Sequence, residues 1–357
     1  MNLSFPILKE YTYLNTANSG ILSTNLAEWR TKHDLEFMAG GSIFRMENLP
    51  IITDLRNNIA KLFNSKSEKT YFVQNFSVGF NILLSGMDKS HRFLLLEEEY
   101  PSVSYPVMSM GFDYHSIPID EKLEENIINA IEKFRPTILA FSMVQYISGL
   151  RMDEDFIRKL KTSYPDLLLV GDGTQFLGTT VFNFEKSGLD ALIGSGYKWL
   201  LAGYGNGYAF LSDQMKDAIY AKNKLANLPT APFLKGKDHL SMSFEPGHLD
   251  TLNFGTLNES LNYLGSFGFD WIEKNTQMLS NQARLELNSR GLVPDWMLER
   301  KYQSTIMSMP LDQKTVDRLV TAKILCSPRG SGTRISFHFY NTKEDLNHLL
   351  QVLDGKN

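Results

Sequence analysis

The chain has little of several features that mark specialised classes of protein. Its one cysteine among 357 residues, Cys326, excludes an internal disulfide. No apolar run approaches the length of a membrane span, and the amino terminus lacks the basic and then apolar layout of a secretory signal. We therefore expect a cytoplasmic protein that does not enter the membrane.

The chain also has no excess of either charge and no grouping of histidines. Its 36 Lys and Arg residues and 40 Asp and Glu residues leave a net charge of −4, which argues against general affinity for nucleic acid or an anionic membrane. The 7 histidines show no metal-ligand spacing, so we predict no metal site. Glu97, Glu98 and Glu99 together are interpreted as a strand end that meets solvent.

The apolar pattern predicts an α/β fold. An early helix is expected over 25–39, and either Ser23 or Thr24 would cap it. A second early helix is expected over 49–63. Short apolar strands then alternate with helical stretches, which indicates a mainly parallel central sheet with helices on both faces. The predicted strands are 71–73, 93–96, 137–141, 167–170 and 191–193.

The length of the chain favours two domains. After about Thr256 the pattern changes to a long helical region and two strand-like stretches, 304–309 and 333–339. We predict a large domain over 15–255. A smaller α+β domain is predicted from 1–14 and 256–357.

Lys198 lies in a run that otherwise has no charge, 191–203. Burial disfavours a charged amine, so its pKa falls and the neutral amine can attack a carbonyl. We interpret Lys198 as a Schiff-base lysine that holds pyridoxal phosphate; the alternative is a surface lysine whose stem covers apolar neighbours.

Asp172 supports that interpretation, because it follows the apolar strand 167–170 at the edge where open α/β sheets bind ligands. A carboxylate there suits the pyridinium nitrogen and keeps it protonated, which makes the cofactor an electron sink. Gln175 can hydrogen-bond the phenolic oxygen of the ring.

The sequence Asp172-Gly173-Thr174-Gln175, followed by Ser195-Gly196-Tyr197-Lys198-Trp199, resembles the signature of the class V aminotransferase family. This fold-type I group includes cysteine desulfurases, kynureninases and isopenicillin N epimerase-like proteins. The resemblance extends from Tyr13 to Thr342 and implies an enzyme that uses pyridoxal phosphate.

The resemblance also implies roles for further residues. The turn before an apolar helix would cradle the phosphate with the backbone amides of Phe76 and Ser77 and the Ser77 hydroxyl, although a plain helix cap at Ser77 is the alternative. Tyr100 would stack on the cofactor ring, unless it is a core or interface tyrosine. The remaining cofactor residues are expected to be Ser195 and Tyr197 at the phosphate, Gln145 near the phenolic oxygen, and Thr256, reaching the phosphate from a second subunit.

The use of Thr256 in this way would require a homodimer. For the substrate, the resemblance implies that Arg334 binds the carboxylate of an amino acid with its guanidinium fork, the alternative being an exposed strand arginine. Asn18 is expected to line the same pocket, or else simply to form its turn.

These residues do not determine the reaction. We favour a class V aminotransferase, which would also use a keto acid; the alternatives are a cysteine or selenocysteine β-lyase and a kynureninase-like hydrolase. Cys326 is interpreted as a small apolar strand residue, which disfavours a desulfurase that stores sulfur on its own thiolate. Outside enzymes, a non-catalytic fold-type I binding module is the alternative.

Overall fold

A computed structural model describes residues 5–231 and 234–355; the first four and last two residues of the predicted small domain lie outside these ranges. The strands, numbered along the chain, are Thr12–Tyr13 (β1), Thr70–Val73 (β2), Arg92–Leu96 (β3), Asp113–Ile117 (β4), Ile138–Ser142 (β5), Leu168–Asp172 (β6), Ala191–Ser195 (β7), Gly207–Leu211 (β8), Ile306–Met309 (β9), Ile324–Leu325 (β10), Ser327–Arg329 (β11) and Gly332–Ser336 (β12). The α-helices are Thr24–Gly40 (α1), Ser42–Asn48 (α2), Pro50–Leu62 (α3), Phe76–Ser85 (α4), Pro101–Ser109 (α5), Leu123–Phe134 (α6), Glu154–Ser163 (α7), Asp213–Ala218 (α8), His239–Phe244 (α9), Thr251–Phe267 (α10), Phe269–Asn288 (α11), Asp295–Glu299 (α12), Gln313–Thr321 (α13) and Lys343–Leu353 (α14).

The large sheet has the strand order β2-β8-β7-β6-β5-β3-β4. The pairs from β7 through to β4 are parallel, and β8 runs antiparallel to both of its neighbours, β2 and β7. Every residue of β5, β6, β7 and β8 is buried, which is why these strands are continuous apolar runs and could be found from sequence. The prediction of a mainly parallel sheet is confirmed.

Successive residues of the central strands of the large sheet belong to cores on opposite faces. Leu168 and Val170 pack on the side of α4 and α5, whereas Leu169 packs on the side of α3, α7 and α10. Helices therefore cover both faces, as predicted.

Strand β4 was not predicted. It lies at the edge of the sheet, pairs with β3, and its first three residues are exposed. An edge strand open to solvent needs no apolar run, so the sequence Asp113-Tyr114-His115-Ser116-Ile117 carries no signal of burial.

A second sheet, β11-β12-β9, is antiparallel, and β1 pairs in parallel with β10. The amino-terminal lead thus lies against the carboxyl-terminal part of the chain, which is the arrangement that the predicted small domain requires. The proposed boundary between residues 255 and 256 falls inside the continuous helix α10, and the division into domains stays a prediction.

The two early helices were predicted correctly as α1 and α3, and the Ser23 side chain caps α1 by accepting a hydrogen bond from the Leu26 amide. The short helix α2 between them was missed. Large apolar side chains of α1 and α2 are exposed: Leu35, Phe37, Met38, Ile43 and Met46. No helix within the described ranges is long and apolar enough to cross a membrane.

An ion pair holds the far edge of the large sheet. Glu245, whose side chain is 4% exposed, accepts a hydrogen bond from Arg56 Nη2 at 2.7 Å. Its other carboxylate oxygen accepts the Phe72 amide of β2 at 2.8 Å. The carboxylate therefore neutralises the Arg56 guanidinium and accepts the hydrogen bond of a backbone N–H group in the edge strand β2.

Glu245→Ala is expected to lower the free energy of unfolding by about 3 kcal/mol, because it leaves a partly buried guanidinium and the Phe72 amide without their partner. Glu36→Ala removes the same charge from an exposed pair with Lys32, whose side chains are 51% and 73% exposed, and should cost less than about 0.5 kcal/mol. The thermal unfolding midpoints of the two variants, measured side by side, test this. Equal midpoints would show that the Glu245 contacts do not stabilise the fold.

Candidate active site

Strands β2, β3, β5, β6 and β7 run in one direction, so their carboxyl ends meet at one edge of the large sheet, beside a cavity of about 290 Å³. Most of the residues predicted to hold the cofactor line this cavity: Phe76, Ser77, Tyr100, Asp172, Gln175, Ser195, Tyr197 and Lys198. Its other lining residues were not predicted: Gln74, Asn75, Ser142, Val144, Tyr146, Thr174, Tyr204 and Gly205. Ser142, Val144 and Tyr146 end or follow β5, so the rule that selected Asp172 would have found them.

Lys198 follows the end of β7 and its side chain is only 8% exposed. Its neighbour Trp199 is fully buried and is held from two sides. The Trp199 indole N–H donates to Gln175 Oε1 at 2.9 Å, and the His338 Nε2 atom donates to the Trp199 carbonyl at 3.0 Å. The His338 Nδ1 atom accepts the Phe339 amide, which fixes this tautomer. These contacts keep the lysine segment in place.

The amino-terminal turn packs directly on the lysine segment. The Gly20 amide donates to the Tyr197 carbonyl at 2.9 Å. A Cβ atom at Gly20 would lie 2.2 Å from the Lys198 carbonyl oxygen, closer than any side chain can approach. This position therefore requires glycine, which explains the role of the Asn18-Ser19-Gly20 turn.

The charges in the cavity perturb one another. Burial and then the positive charge of Arg334 lower the pKa of Lys198 to about 7, although the negative charge of Asp172 opposes both effects. Burial likewise raises the pKa of Asp172 to about 6, against a hydrogen bond from the Thr174 amide at 2.8 Å and the charge of Lys198. The site thus contains an amine that can be neutral near pH 7. It also contains a carboxyl group whose negative charge the neighbouring donors and cations stabilise too little to offset its burial.

Helix α4 begins at the cavity with its amino terminus. Asn75, and not Ser77, is the N-cap, since its side chain accepts the Val78 amide at 2.9 Å; the alternative of a cap at Ser77 is wrong. The Phe76 amide donates to Ser195 Oγ at 2.9 Å, so two of the predicted phosphate ligands are in contact. The dipole of α4 points its positive end at the cavity and favours an anion there, although a phosphate on the Phe76 amide would replace its bond to Ser195.

Tyr100 begins the turn into α5, and its ring meets Tyr146 edge to face at 5.4 Å between centroids. The residue before it, Glu99, was expected to meet solvent, and that expectation is wrong because Glu99 is only 5% exposed. Its carboxyl group accepts hydrogen bonds from the Ser142 amide and hydroxyl and from the Tyr100 amide. Burial raises the pKa of Glu99 to about 7 despite these donors.

Gln145 and Thr256 do not line the cavity. The Gln145 side chain donates to the Glu98 carbonyl and accepts the Ile147 and Ser148 amides, which braces its own loop. The Thr256 hydroxyl donates to the Leu252 carbonyl and accepts a hydrogen bond from Arg30 at 2.8 Å. The roles of Gln145 and Thr256 at a cofactor stay predictions. In each case the side chain would have to give up some of these hydrogen bonds in order to contact the cofactor.

Arg334 lies on β12 and is 2% exposed. Its Nη1 atom donates to the Tyr146 carbonyl at 2.5 Å, and its buried Nε atom has no hydrogen-bond partner among the residues that the structure describes. Burial, and then the charge of Arg329, lower the pKa of Arg334 to about 10. Asn18 is exposed, and its side-chain oxygen accepts a hydrogen bond from Arg329 at 2.6 Å.

Together these groups fit a flat, anionic and aldehyde-bearing cofactor. The start of α4 with Ser77 suits a phosphate, the buried Asp172 suits a protonated ring nitrogen, and Lys198 supplies the amine. Within the described ranges, no group of three His, Cys, Asp or Glu side chains could hold a metal ion.

Comparisons with known proteins agree with the geometry. Among curated proteins, a probable cysteine desulfurase of Ureaplasma parvum is 21% identical over 97% of this chain and 93% of its own length. The uncharacterized aminotransferase YcbU of Bacillus subtilis is 21% identical over 99% of this chain and 96% of its own length.

Solved structures share the fold at low sequence identity. A mutant of C-DES with glycine covalently linked to its PLP cofactor has a TM-score of 0.86 at 19% identity and covers 99% of both chains. A cysteine desulfurase from Thermococcus onnurineus has a TM-score of 0.82 at 17% identity and covers 99% of this chain and 98% of its own. The model of the family "Aminotransferase class-V" matches residues 38–349. Since that match covers most of the sequence, the chain belongs to the class V aminotransferase family, as its motifs predicted.

Proposed function

We propose that this enzyme uses pyridoxal phosphate to break the bond between the β-carbon and the sulfur of a cysteine-type amino acid. The observation that carries the proposal is the buried Lys198 amine, held with Asp172 in the cavity at the carboxyl edge of the sheet. A binding module without catalysis has no use for an amine whose pKa is lowered to about 7.

Pyridoxal phosphate, when bound, supplies an aldehyde for a lysine amine and a ring that accepts the electron pair of the broken Cα–H bond. Lys198 Nζ would hold the cofactor and then take the Cα proton of the substrate. Asp172 would hold the proton on the ring nitrogen. Ser77, Ser195 and the start of α4 would bind the phosphate, and Tyr100 and Gln175 would orient the ring.

Arg334 would bind the α-carboxylate, since its Nε donor is buried without a partner among the described residues. This contact orients the Cα–H bond toward Lys198. Excluding water from the buried amine keeps it reactive, because its lowered pKa depends on desolvation.

Cys326 distinguishes the possible sulfur chemistries. It lies between β10 and β11, half-buried and packed against the main core, and burial raises the pKa of its thiol. A desulfurase that keeps sulfur on its own cysteine needs an accessible thiolate, which these surroundings disfavour. A lyase that releases the sulfur group directly needs none. One structural neighbour, with a TM-score of 0.84 at 19% identity, is described as the cystine C–S lyase C-DES.

A class V aminotransferase is the second candidate, because YcbU is named as an aminotransferase. It would use the same Lys198, Asp172 and Arg334 and would differ in its need for a keto-acid acceptor. The two functions are separated by their products.

We also propose that the enzyme is a cytoplasmic homodimer. The exposed apolar side chains of α1 and α2 support an interface with a second copy. The Thr256 hydroxyl is bonded within its own protomer, so the dimer is supported by this surface rather than by Thr256.

The pH dependence of cofactor uptake should report the pKa of Lys198. Below about pH 7 the amine is protonated and unreactive, so the rate of uptake by the cofactor-free protein should rise through pH 7 and level off above it. Arg334→Gln removes a neighbouring cation and should move the midpoint upward, whereas Asp172→Asn removes an anion and should move it downward. Stopped-flow absorbance measures the rate; a midpoint near 10 in the unmodified protein would show that Lys198 is an ordinary exposed lysine.

The reaction itself is tested with S-substituted cysteines in the absence of a keto acid. Elimination of the thiol followed by hydrolysis should give one pyruvate and one ammonium for each thiol released. Lys198→Ala should abolish the products and the visible absorbance of the bound cofactor. Cys326→Ala is the matched control and should keep the rate. Turnover that appears only when a keto acid is added would establish the aminotransferase instead.

Arg334→Lys should weaken substrate binding by about 1.5–3 kcal/mol, the range for a hydrogen bond to a charged group, because an ammonium cannot form the forked contact. The Michaelis constant should rise accordingly while the cofactor absorbance is retained. An unchanged constant would remove Arg334 from the proposed carboxylate site.

A further inference from the structure

A second arginine lies on the same face of the hairpin as Arg334. In the antiparallel pair β11-β12, Ser327 is opposite Arg334 and Arg329 is opposite Gly332. Residues opposite each other and residues two apart share a face, so Arg329 and Arg334 project to one side as diagonal neighbours. The hairpin is held close to the loop after β5, since a Cβ atom at Gly330 would lie 2.9 Å from the Ile147 side chain.

The charges of the two arginines are not neutralised by the protein. Neither guanidinium has a carboxylate within ion-pair distance in the described part of the chain. Arg329 donates to the Asn18 side-chain oxygen at 2.6 Å and to its neighbouring Pro328 carbonyl at 2.8 Å, both of which are neutral acceptors. A guanidinium has five N–H donors, so these contacts leave capacity for an incoming anion.

Arg329 also acts on the groups of the candidate active site. Its positive charge contributes to lowering the pKa of both Lys198 and Arg334, after the larger effect of burial in each case. The geometry agrees, because Arg329 is the diagonal neighbour of Arg334 and donates to Asn18, two residues before the Gly20 amide that contacts the Tyr197 carbonyl. Lys198 lines the cavity, Arg334 donates to the carbonyl of the cavity-lining Tyr146, and Arg329 is the diagonal neighbour of Arg334. Because neither arginine has a carboxylate partner among the described residues, the pair favours a ligand with more than one negative charge.

We propose that Arg329 binds a second acidic group at the far end of the substrate's sulfur substituent. The substrate class is then an S-substituted cysteine that ends in a carboxylate, with Arg334 on the α-carboxylate and Arg329 on the distal one. Asn18 positions the Arg329 fork through its neutral side-chain oxygen. This inference rests on the proposed function for the place of the α-carboxylate.

The test compares two substrates of nearly equal shape, S-carboxymethylcysteine and its amide, S-carbamoylmethylcysteine. For the enzyme with pyridoxal phosphate bound, kcat/KM should be about tenfold to a hundredfold higher for the acid, S-carboxymethylcysteine, than for the amide. This ratio corresponds to one charge-assisted hydrogen-bonding contact. Arg329→Gln should bring that ratio close to one, chiefly by raising KM for the acid. Lys314→Gln removes the same charge from an exposed position on α13 and should leave the ratio unchanged.

Arg329→Glu is a second test variant, because it reverses the charge at this position and should reverse the preference between acidic and cationic substituents. It should disfavour the acid further and improve relative turnover of S-aminoethylcysteine, whose substituent ends in a cation. An equal loss for the acid and the amide in Arg329→Gln would overturn the proposal, because it would place Arg329 on the α-carboxylate or in a purely structural role. No preference for the acid in the unmodified enzyme would overturn it as well.

Equilibrium binding separates this inference from the proposed reaction. Calorimetry on Lys198→Ala supplied with pyridoxal phosphate measures the dissociation constants of the acid and the amide without turnover. The preference for the acid should persist there and disappear when Arg329→Gln is added. Release of no pyruvate from either compound by the unmodified enzyme would reject the lyase function alone, whereas equal dissociation constants would reject the role of Arg329 alone.

Discussion

The site depends on the burial of one amine. Lys198 is held in a cavity where desolvation and Arg334 favour its neutral form, while Asp172 limits that shift. Burial has a comparable effect on the carboxyl groups, raising the pKa of Asp172 to about 6 and that of Glu99 to about 7. A ligand that supplies an opposite charge or a proton would therefore stabilise each of these groups. In the proposed function, the reactivity of the site would follow from charges that the protein itself balances only in part.

The fold keeps the amine buried by joining distant parts of the sequence. The turn at Gly20 packs on the Lys198 backbone, Gln175 holds the Trp199 ring, and His338 holds the Trp199 carbonyl. The first of these segments reaches the site because β1 pairs with β10, near the carboxyl-terminal end of the chain. A change in any of these contacts would act on the lysine through its backbone rather than through its charge.

The parallel sheet, Lys198 and Asp172 could be predicted because each has a local signal. Strands buried on both faces need unbroken apolar runs, and an ionisable residue within or just after such a run stands out. The edge strand β4 and the buried Glu99 gave no such signal, since the first is exposed and the second is buried by a loop and by donors from β5. Hydrogen bonds between residues far apart in sequence, such as those that occupy Thr256 and orient Arg329 on Asn18, cannot be inferred from spacing.

In the proposed function, the two arginines of the β11-β12 hairpin would determine the substrate specificity that Lys198 and Asp172 do not provide. Two guanidiniums on one face repel each other, so their proximity costs free energy that a bound anion would recover. In the proposed reaction, Lys198 and Asp172 would determine that a proton is removed from the α-carbon, but they would not distinguish one amino acid from another. A substrate with two acidic groups would relieve the repulsion at both arginines, whereas one with a single carboxylate would relieve it at only one. The preference for a diacidic substrate would then have two sources. A substrate with one carboxylate leaves one arginine unpaired, and a substrate with two carboxylates gains a second contact.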